Sequence, residues 1–220
     1  VLGEVIAPVF ISPLIQALSS SLDSPLRDSI MVFVGYCAMA SPPLLILRRQ
    51  LGSIDISNRP SDGWLQWGGG SFVTAFYQAV HGWLMVLPFV LLISWLMNLV
   101  VGDQGGSNPL LSLVLSSRDP MALILLILTT VVLAPLFEEI IFRGVLLPVL
   151  AQSLGRLGGV LTSAIIFGVA HLSVGELPPL VVLGIGLALL RLSTGRLLPC
   201  VMMHSLWNGI TFLNLLLLGS

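Results

Sequence analysis

The sequence predicts an all-α membrane protein, a helical bundle of about six to seven transmembrane helices. Hydrophobic residues make up 56% of the 220 residues, only 9% are charged, and the mean hydropathy is +1.04. Soluble domains carry about 25% charged residues, so this chain lacks the polar side chains needed to cover a globular surface. At roughly 20 residues for each crossing, its length allows six or seven spans.

Six apolar segments are predicted to form these spans. In chain order they are Ile30–Leu47, Phe72–Val101, Met121–Leu154, Val160–Val174, Leu180–Leu190 and Leu197–Leu217. Residues 1–20 are also apolar, but Glu4, Pro8 and Pro13 interrupt them. Both a broken span and an interfacial segment are therefore open for residues 1–20, because proline disrupts a helix interior.

A long polar loop at residues 102–120, rich in Gly, Ser, Asn and Pro, separates the first part of the chain from the rest. It predicts an N-terminal membrane region over residues 1–120, with two clear spans and a possible broken one. A core of helices then follows over residues 121–220. We expect the two parts to form one integral domain.

All nine basic residues are arginine, and their placement predicts how the protein is oriented. Cytoplasmic loops carry an excess of positive charge. If the loop at residues 48–59 is cytoplasmic, alternation of six spans puts six of the eight arginines outside the central motif on that side. We therefore expect a multi-pass protein of the plasma membrane or an internal membrane.

The partners expected from this composition are membrane lipids. A net charge of −1 gives no electrostatic basis for a nucleic-acid partner. The oligomeric state is open.

Three ionisable residues, Glu138, Glu139 and Arg143, lie inside one of the most apolar stretches. The 17 residues before Glu138 and the 11 after Arg143 contain no charge. Burying a charge in hydrocarbon costs at least a few kcal/mol, so such groups usually face a partner or a water-filled cavity. Glu139 and Arg143 have the i, i+4 spacing of an ion pair. Glu138 lies five positions from the arginine, points elsewhere, and is predicted to belong to a working site.

His171 is predicted to lie level with Glu138. If residues 121–154 and 157–174 form an antiparallel hairpin that turns near Gly155, Glu138 lies 17 residues before the turn and His171 lies 16 after it. At 1.5 Å per residue, both are then on the order of 25 Å from the turn. These two residue counts predict that the Glu138 carboxylate and the His171 imidazole share a site.

His204 has a second polar residue, Asn208, on its own helical face, since the two are four positions apart. His204 lies nine residues past the turn at Gly195. It is therefore predicted to be shallower than Glu138 and His171, unless that turn dips into the membrane.

These residues form three motifs in chain order: Glu138-Glu139-x-x-x-Arg143, Phe167-x-x-x-His171 and His204-x-x-x-Asn208. On successive hydrophobic helices, the ordered set resembles the motifs of the CPBP family. That family comprises the CAAX prenyl endopeptidases and the bacterial bacteriocin-processing or self-immunity proteins, also called the ABI family. The resemblance covers about residues 121–215.

The resemblance implies an intramembrane endopeptidase. Glu138 would activate water with the help of His171, while His204 and Asn208 would stabilise the oxyanion. Peptide hydrolysis does need a base for water and donors aimed at the developing negative charge. Glu139 and Arg143 would support the site by fixing the helix orientation and the local charge balance. The expected substrate is a membrane-associated or lipid-modified peptide or protein, and its identity is open.

The cofactor is open as well. Glu138, His171 and His204 make a set of two imidazoles and one carboxylate, which is adequate for a catalytic divalent metal such as zinc. Members of the family are labelled metalloproteases, and they are also argued to work through glutamate and water alone. Asn208 is a poor zinc ligand, which favours the metal-free mechanism.

Two other functions are weighed beside the peptidase. A non-proteolytic scaffold or immunity-type binder could keep the same residues as a structural polar network. A transporter or proton relay would also use intramembrane Glu and His, but the inverted repeats expected of it are not evident. Outside the motifs, we expect Cys37 and Cys200 to be buried structural residues and His81 to be packed or to line a cavity.

Overall fold

A computed structural model of the protein describes residues 17, 23–53, 65–68, 70–102, 113, 117 and 119–218. Within these ranges the chain forms five long helices, α1 (Ser24–Ser53), α2 (Phe72–Val101), α3 (Pro120–Ala170), α4 (Leu177–Thr194) and α5 (Leu198–Leu218). All five are long and apolar enough to cross a membrane. The predicted all-α membrane fold is confirmed.

The predicted count of six to seven spans is not confirmed. Five candidate spans are found among the described residues, and one of them, α3, contains both segments predicted as Met121–Leu154 and Val160–Val174, with a non-helical break at Gly155 between them. Residues 1–20, where a broken span was possible, lie outside the described residues apart from Ala17.

Short polar signals set the ends of these helices. At the start of α2 the Ser71 hydroxyl accepts the Thr74 N–H at 3.1 Å, which satisfies one of the unpaired donors of the first turn. Asp119 does the same for α3 through the Met121 N–H, at 2.8 Å, with Pro120 at the first helical position. Helix α4 ends at Gly195, whose φ of 66° lies in the left-handed region that glycine adopts at helix ends.

The contacts divide the chain into two compact units whose segments alternate along the sequence. The first unit takes its described residues from Val1–Arg59, Pro109–Ala134 and Gly209–Ser220, and the second from Pro60–Asn108 and Pro135–Asn208. In the first unit α1 packs on the start of α3, and Leu126 and Phe212 are buried together. In the second unit α4 packs on α2 and on the later part of α3. The predicted division near residue 120 stays a prediction.

Two residues that lie in apolar stretches of the sequence were wrongly predicted to be buried or packed. Cys200 is buried, but Cys37 is exposed on α1. His81 is exposed on α2, where its ring stacks on Tyr77 with the centroids 6.4 Å apart. Both errors have the same cause: a membrane helix presents apolar residues to lipid as well as to its neighbours, so an apolar run does not imply burial within the protein.

Helix α3 widens into two π-helical segments, Leu128–Leu133 and Ile140–Leu146. Each segment ends two residues before a proline, Pro135 or Pro148. A proline ring clashes with the carbonyl four residues earlier and provides no N–H. In both cases that carbonyl lies within the π segment, where the wider i→i+5 turn accommodates the ring.

Gly155 turns α3 back on itself. Its φ of 75° and ψ of 168° are not helical, while helical geometry continues on either side. The later leg packs on the earlier one: a Cβ at Gly159 would lie 2.6 Å from the backbone of Ala151. The predicted hairpin is therefore present, although residues 156–159 are helical rather than a turn.

The close contact across Gly155 gives a stability prediction. Gly159→Ala places a methyl group against the Ala151 backbone, which cannot move aside as a flexible side chain would. We expect a loss of about 1–3 kcal/mol, measured as a lower unfolding temperature of the detergent-solubilised protein. Gly35→Ala in α1 is the control, because a Cβ there has nothing within 4 Å. Equal unfolding temperatures for the two variants would contradict the hairpin packing.

Candidate active site

The hairpin at Gly155 brings Glu138 and His171 together. Glu138 lies on α3 just before the second π segment, and His171 follows the last residue of the returning leg. The His171 Nε2 atom lies 3.7 Å from Glu138 Oε2. The two residues are at the same level, as the residue count on either side of the turn predicts.

His204, on α5, reaches the same carboxylate. Its Nε2 atom lies 3.8 Å from Glu138 Oε2, so it is not shallower than His171. The reason is that the turn between α4 and α5 lies close to Arg143 on α3. The backbone carbonyl of Arg143 accepts a hydrogen bond from Arg191, near the end of α4, at 3.3 Å. The turn therefore starts about one helical turn along α3 from Glu139, much nearer the site than Gly155.

Glu139 connects two partners at once. Its Oε1 atom accepts hydrogen bonds from Arg143 Nη1 and from His204 Nδ1, each at 2.9 Å. Glu139 is 0% exposed and Arg143 is 1% exposed. The ion pair expected from the i, i+4 spacing is present. The bond to His204 was not predicted, because sequence spacing within one helix carries no information about a residue 65 positions away.

The two imidazoles have the same orientation relative to Glu138. His171 Nδ1 lies 2.8 Å from the carbonyl oxygen of Phe167, which can only accept, so Nδ1 carries the proton. His204 Nδ1 likewise donates to the Glu139 carboxylate. Each ring therefore directs its Nε2 atom toward Glu138, and the protein fixes both rings through Nδ1.

Phe167 packs these groups together, a role that its place in the second motif did not predict. The residue is 0% exposed. Its ring centroid lies 4.4 Å from the Arg143 guanidinium carbon, 4.7 Å from the His171 ring and 5.7 Å from the His204 ring. The contact with Arg143 places a cation over an aromatic face. The four-residue spacing between Phe167 and His171 was the available signal, since it puts both on one helical face.

The four acidic and imidazole side chains differ in how much of their surface is exposed. The side chains of Glu138 and His171 are 20% and 28% exposed, whereas His204 is 3% exposed and Glu139 is fully buried. The Oε2 atom of Glu138 is itself buried and has no hydrogen-bond partner among the described residues. Asn208 lies one turn beyond His204 on α5 and is partly buried. The accessible side of this cluster is therefore that of Glu138 and His171.

The three predicted metal ligands lie slightly further apart than neighbouring ligand atoms of a zinc site. The donor types are suitable, but bonds of about 2.0–2.1 Å in a tetrahedral zinc site separate neighbouring ligand atoms by about 3.4 Å. Glu138 Oε2 lies 3.7 and 3.8 Å from the two Nε2 atoms. Within the described part of the chain, no group of three or more His, Cys, Asp or Glu residues is positioned to hold a metal ion.

A carboxylate and two imidazoles within reach of one another can take part in general acid–base chemistry. Residues 120–210 match the family model described as type II CAAX prenyl endopeptidase Rce1-like. This part of the chain is similar to that family, in agreement with the resemblance of the three motifs to the CPBP family. The match spans all three motifs. No curated protein and no solved structure matches the chain.

The burial of the ion pair predicts a large effect of breaking it. Arg143→Met leaves the Glu139 carboxylate buried without its guanidinium, and removing one partner of a buried pair costs about 3–5 kcal/mol. We expect a clearly lower unfolding temperature than for Arg156→Met, because Arg156 is exposed on the same helix. Adding Glu139→Gln to Arg143→Met should recover part of the loss. Equal effects of the two arginine substitutions would contradict the buried pair.

Proposed function

We propose that the protein is an intramembrane endopeptidase that hydrolyses a peptide bond of a membrane-associated or lipid-modified substrate. The observation that supports this most directly is that two imidazole Nε2 atoms, from different helices, face the same Glu138 oxygen. The similarity of residues 120–210 to the Rce1-like family points to a CAAX-protease-like peptidase. Glu138, His171, His204 and Asn208 act on the substrate and the water, with Glu139 and Arg143 in support.

Glu138 and His171 position and activate the water. The 3.7 Å between Oε2 and Nε2 is too long for a direct hydrogen bond, and it suits a water molecule that donates to both atoms. Glu138 takes a proton as the water oxygen attacks the carbonyl carbon. The protonated Glu138 then gives that proton to the amide nitrogen as the C–N bond breaks. The products are a carboxylic acid and an amine.

His204 and Asn208 stabilise the oxyanion that forms in the first step. To donate to the oxyanion, His204 needs a proton on Nε2 while Nδ1 remains bonded to Glu139. The Glu139 oxygen accepts from both His204 and Arg143, which holds the ring in this orientation. The Asn208 amide, one turn further along α5, supplies a second donor. Donors fixed in advance in a site of low dielectric stabilise the transition state because they need no reorientation.

In this proposal no step passes through a metal ion, and the base is the carboxylate itself. Its two neighbouring imidazoles are held through Nδ1 by a carbonyl and by a second carboxylate, which fixes the orientation of both rings.

Replacing the base tests the proposal. Glu138→Gln keeps the shape of the side chain and removes its basicity, so cleavage of a fluorogenic prenylated CAAX peptide should fall by about 10²–10⁴-fold. Glu176→Gln is the matched control, because Glu176 is an exposed carboxylate just before α4. Unfolding temperatures of both variants should stay close to that of the unmodified protein. Cleavage by Glu138→Gln at the unmodified rate would contradict the role of Glu138.

A chelator distinguishes the metal-free mechanism from a zinc-dependent one. Activity should be unchanged after treatment with 1,10-phenanthroline or EDTA in detergent, and after dialysis against metal-free buffer. Loss of activity that zinc alone restores would overturn the metal-free proposal and assign Glu138, His171 and His204 as ligands.

A further inference from the structure

We propose that Arg191 is a positioning residue for this site. Through a hydrogen bond to the backbone of Arg143, it fixes the π-helical segment of α3 that orients Glu139, and through Glu139 it fixes the His204 ring. The kinetic part of this inference rests on the proposed peptidase function, whereas the structural part does not.

The Arg143 carbonyl lacks its usual helical donors. In an α-helix it would accept from the N–H of residue 147, and in a π-helix from that of residue 148. The Leu147 N–H donates instead to Phe142, and Pro148 has no N–H. Arg191 Nε donates to this carbonyl oxygen at 3.3 Å. A side chain from α4 therefore replaces a missing backbone donor of α3.

Arg191 is anchored on all three nitrogens. Besides the Arg143 carbonyl, its guanidinium donates to the backbone carbonyls of Gly195 and Leu65 and to the side-chain oxygen of Gln66. The residue is only 6% exposed, and none of these acceptors is a carboxylate. Because this buried guanidinium is held by neutral acceptors from three parts of the chain, it fixes their relative positions and does not pair with an opposite charge. The planar fork suits this role, since a lysine ammonium presents all its donors from one atom.

A second hydrogen bond between the same two helices runs in the opposite direction. The Arg143 side chain donates to the carbonyl of Gly184, two turns before Arg191 on α4, at 3.1 Å. Arg143 is thus held by its backbone through Arg191 and by its side chain through Gly184. Its other Nη atom binds Glu139, which binds His204. Loss of the Arg191 bond frees the π segment and alters the orientation of the His204 ring.

The experiment uses the imidazole nitrogens as reporters. The 220-residue chain has three histidines, so ¹⁵N-histidine labelling of this chain in detergent gives a spectrum that single substitutions can assign. In Arg191→Met and Arg191→Lys, the His204 nitrogen signals should move, more in the methionine variant. The His81 signals should not, because His81 is exposed on α2. Arg156→Lys, at an exposed position, is the control and should leave all three histidines unchanged.

Kinetics on the same variants test the consequence for catalysis. A misplaced donor slows the chemical step. We therefore expect kcat to fall on the order of 10- to 100-fold, with little change in KM. Unchanged His204 signals in Arg191→Lys would overturn the inference, even if Arg191→Met fails to fold. Shifted signals with unchanged kcat would also overturn it. If the unmodified protein cleaves no peptide, the proposed function fails, while the spectra still decide whether Arg191 positions His204.

Discussion

The buried Glu139 carboxylate is the group on which the arrangement of this site depends. It lies in an apolar environment, where an ionised carboxylate is stable only when it is paired and hydrogen-bonded. Its Oε1 atom is both paired and hydrogen-bonded, because it accepts from Arg143 within its own helix and from His204 on α5. The requirement to pair this charge therefore determines where α5 can lie and which way the His204 ring faces. Glu138, its neighbour in sequence, is left to face the two Nε2 atoms.

The backbone of α3 contributes to the same result. Its second π segment begins directly after Glu139 and contains Arg143. A π-helical segment rotates the following residues relative to an α-helix, and it leaves carbonyl groups without their normal donors. Here Pro148 and the displaced Leu147 bond create such a carbonyl, and a buried arginine from α4 satisfies it. The irregular backbone and the polar site thus occupy the same stretch of the helix.

The sequence predicts the membrane fold and the pairing of Glu138 with His171 because both depend on quantities that can be counted. Hydropathy identifies the helices, and residue number on either side of Gly155 gives the depth. The bond from His204 to Glu139 and the partners of Arg191 could not be predicted, because they depend on how deeply the turn at Gly195 lies. The position of this turn is set by packing between α3 and α4, and contacts between two helices produce no repeating pattern in the sequence. The burial of Cys37 and His81 was likewise wrongly predicted, because the apolar sequence around a residue does not show which face of a membrane helix it occupies.

The symmetric placement of Glu138 and His171 about Gly155 constrains the length of the chain as well as its residues. Each added helical residue advances a leg by 1.5 Å and rotates it by about 100°. A single insertion between positions 138 and 171, in either leg, would therefore turn the imidazole away from the carboxylate even with every motif residue intact. Relatives of this protein should accordingly vary in length before the first motif and after the second, and keep the interval between them fixed.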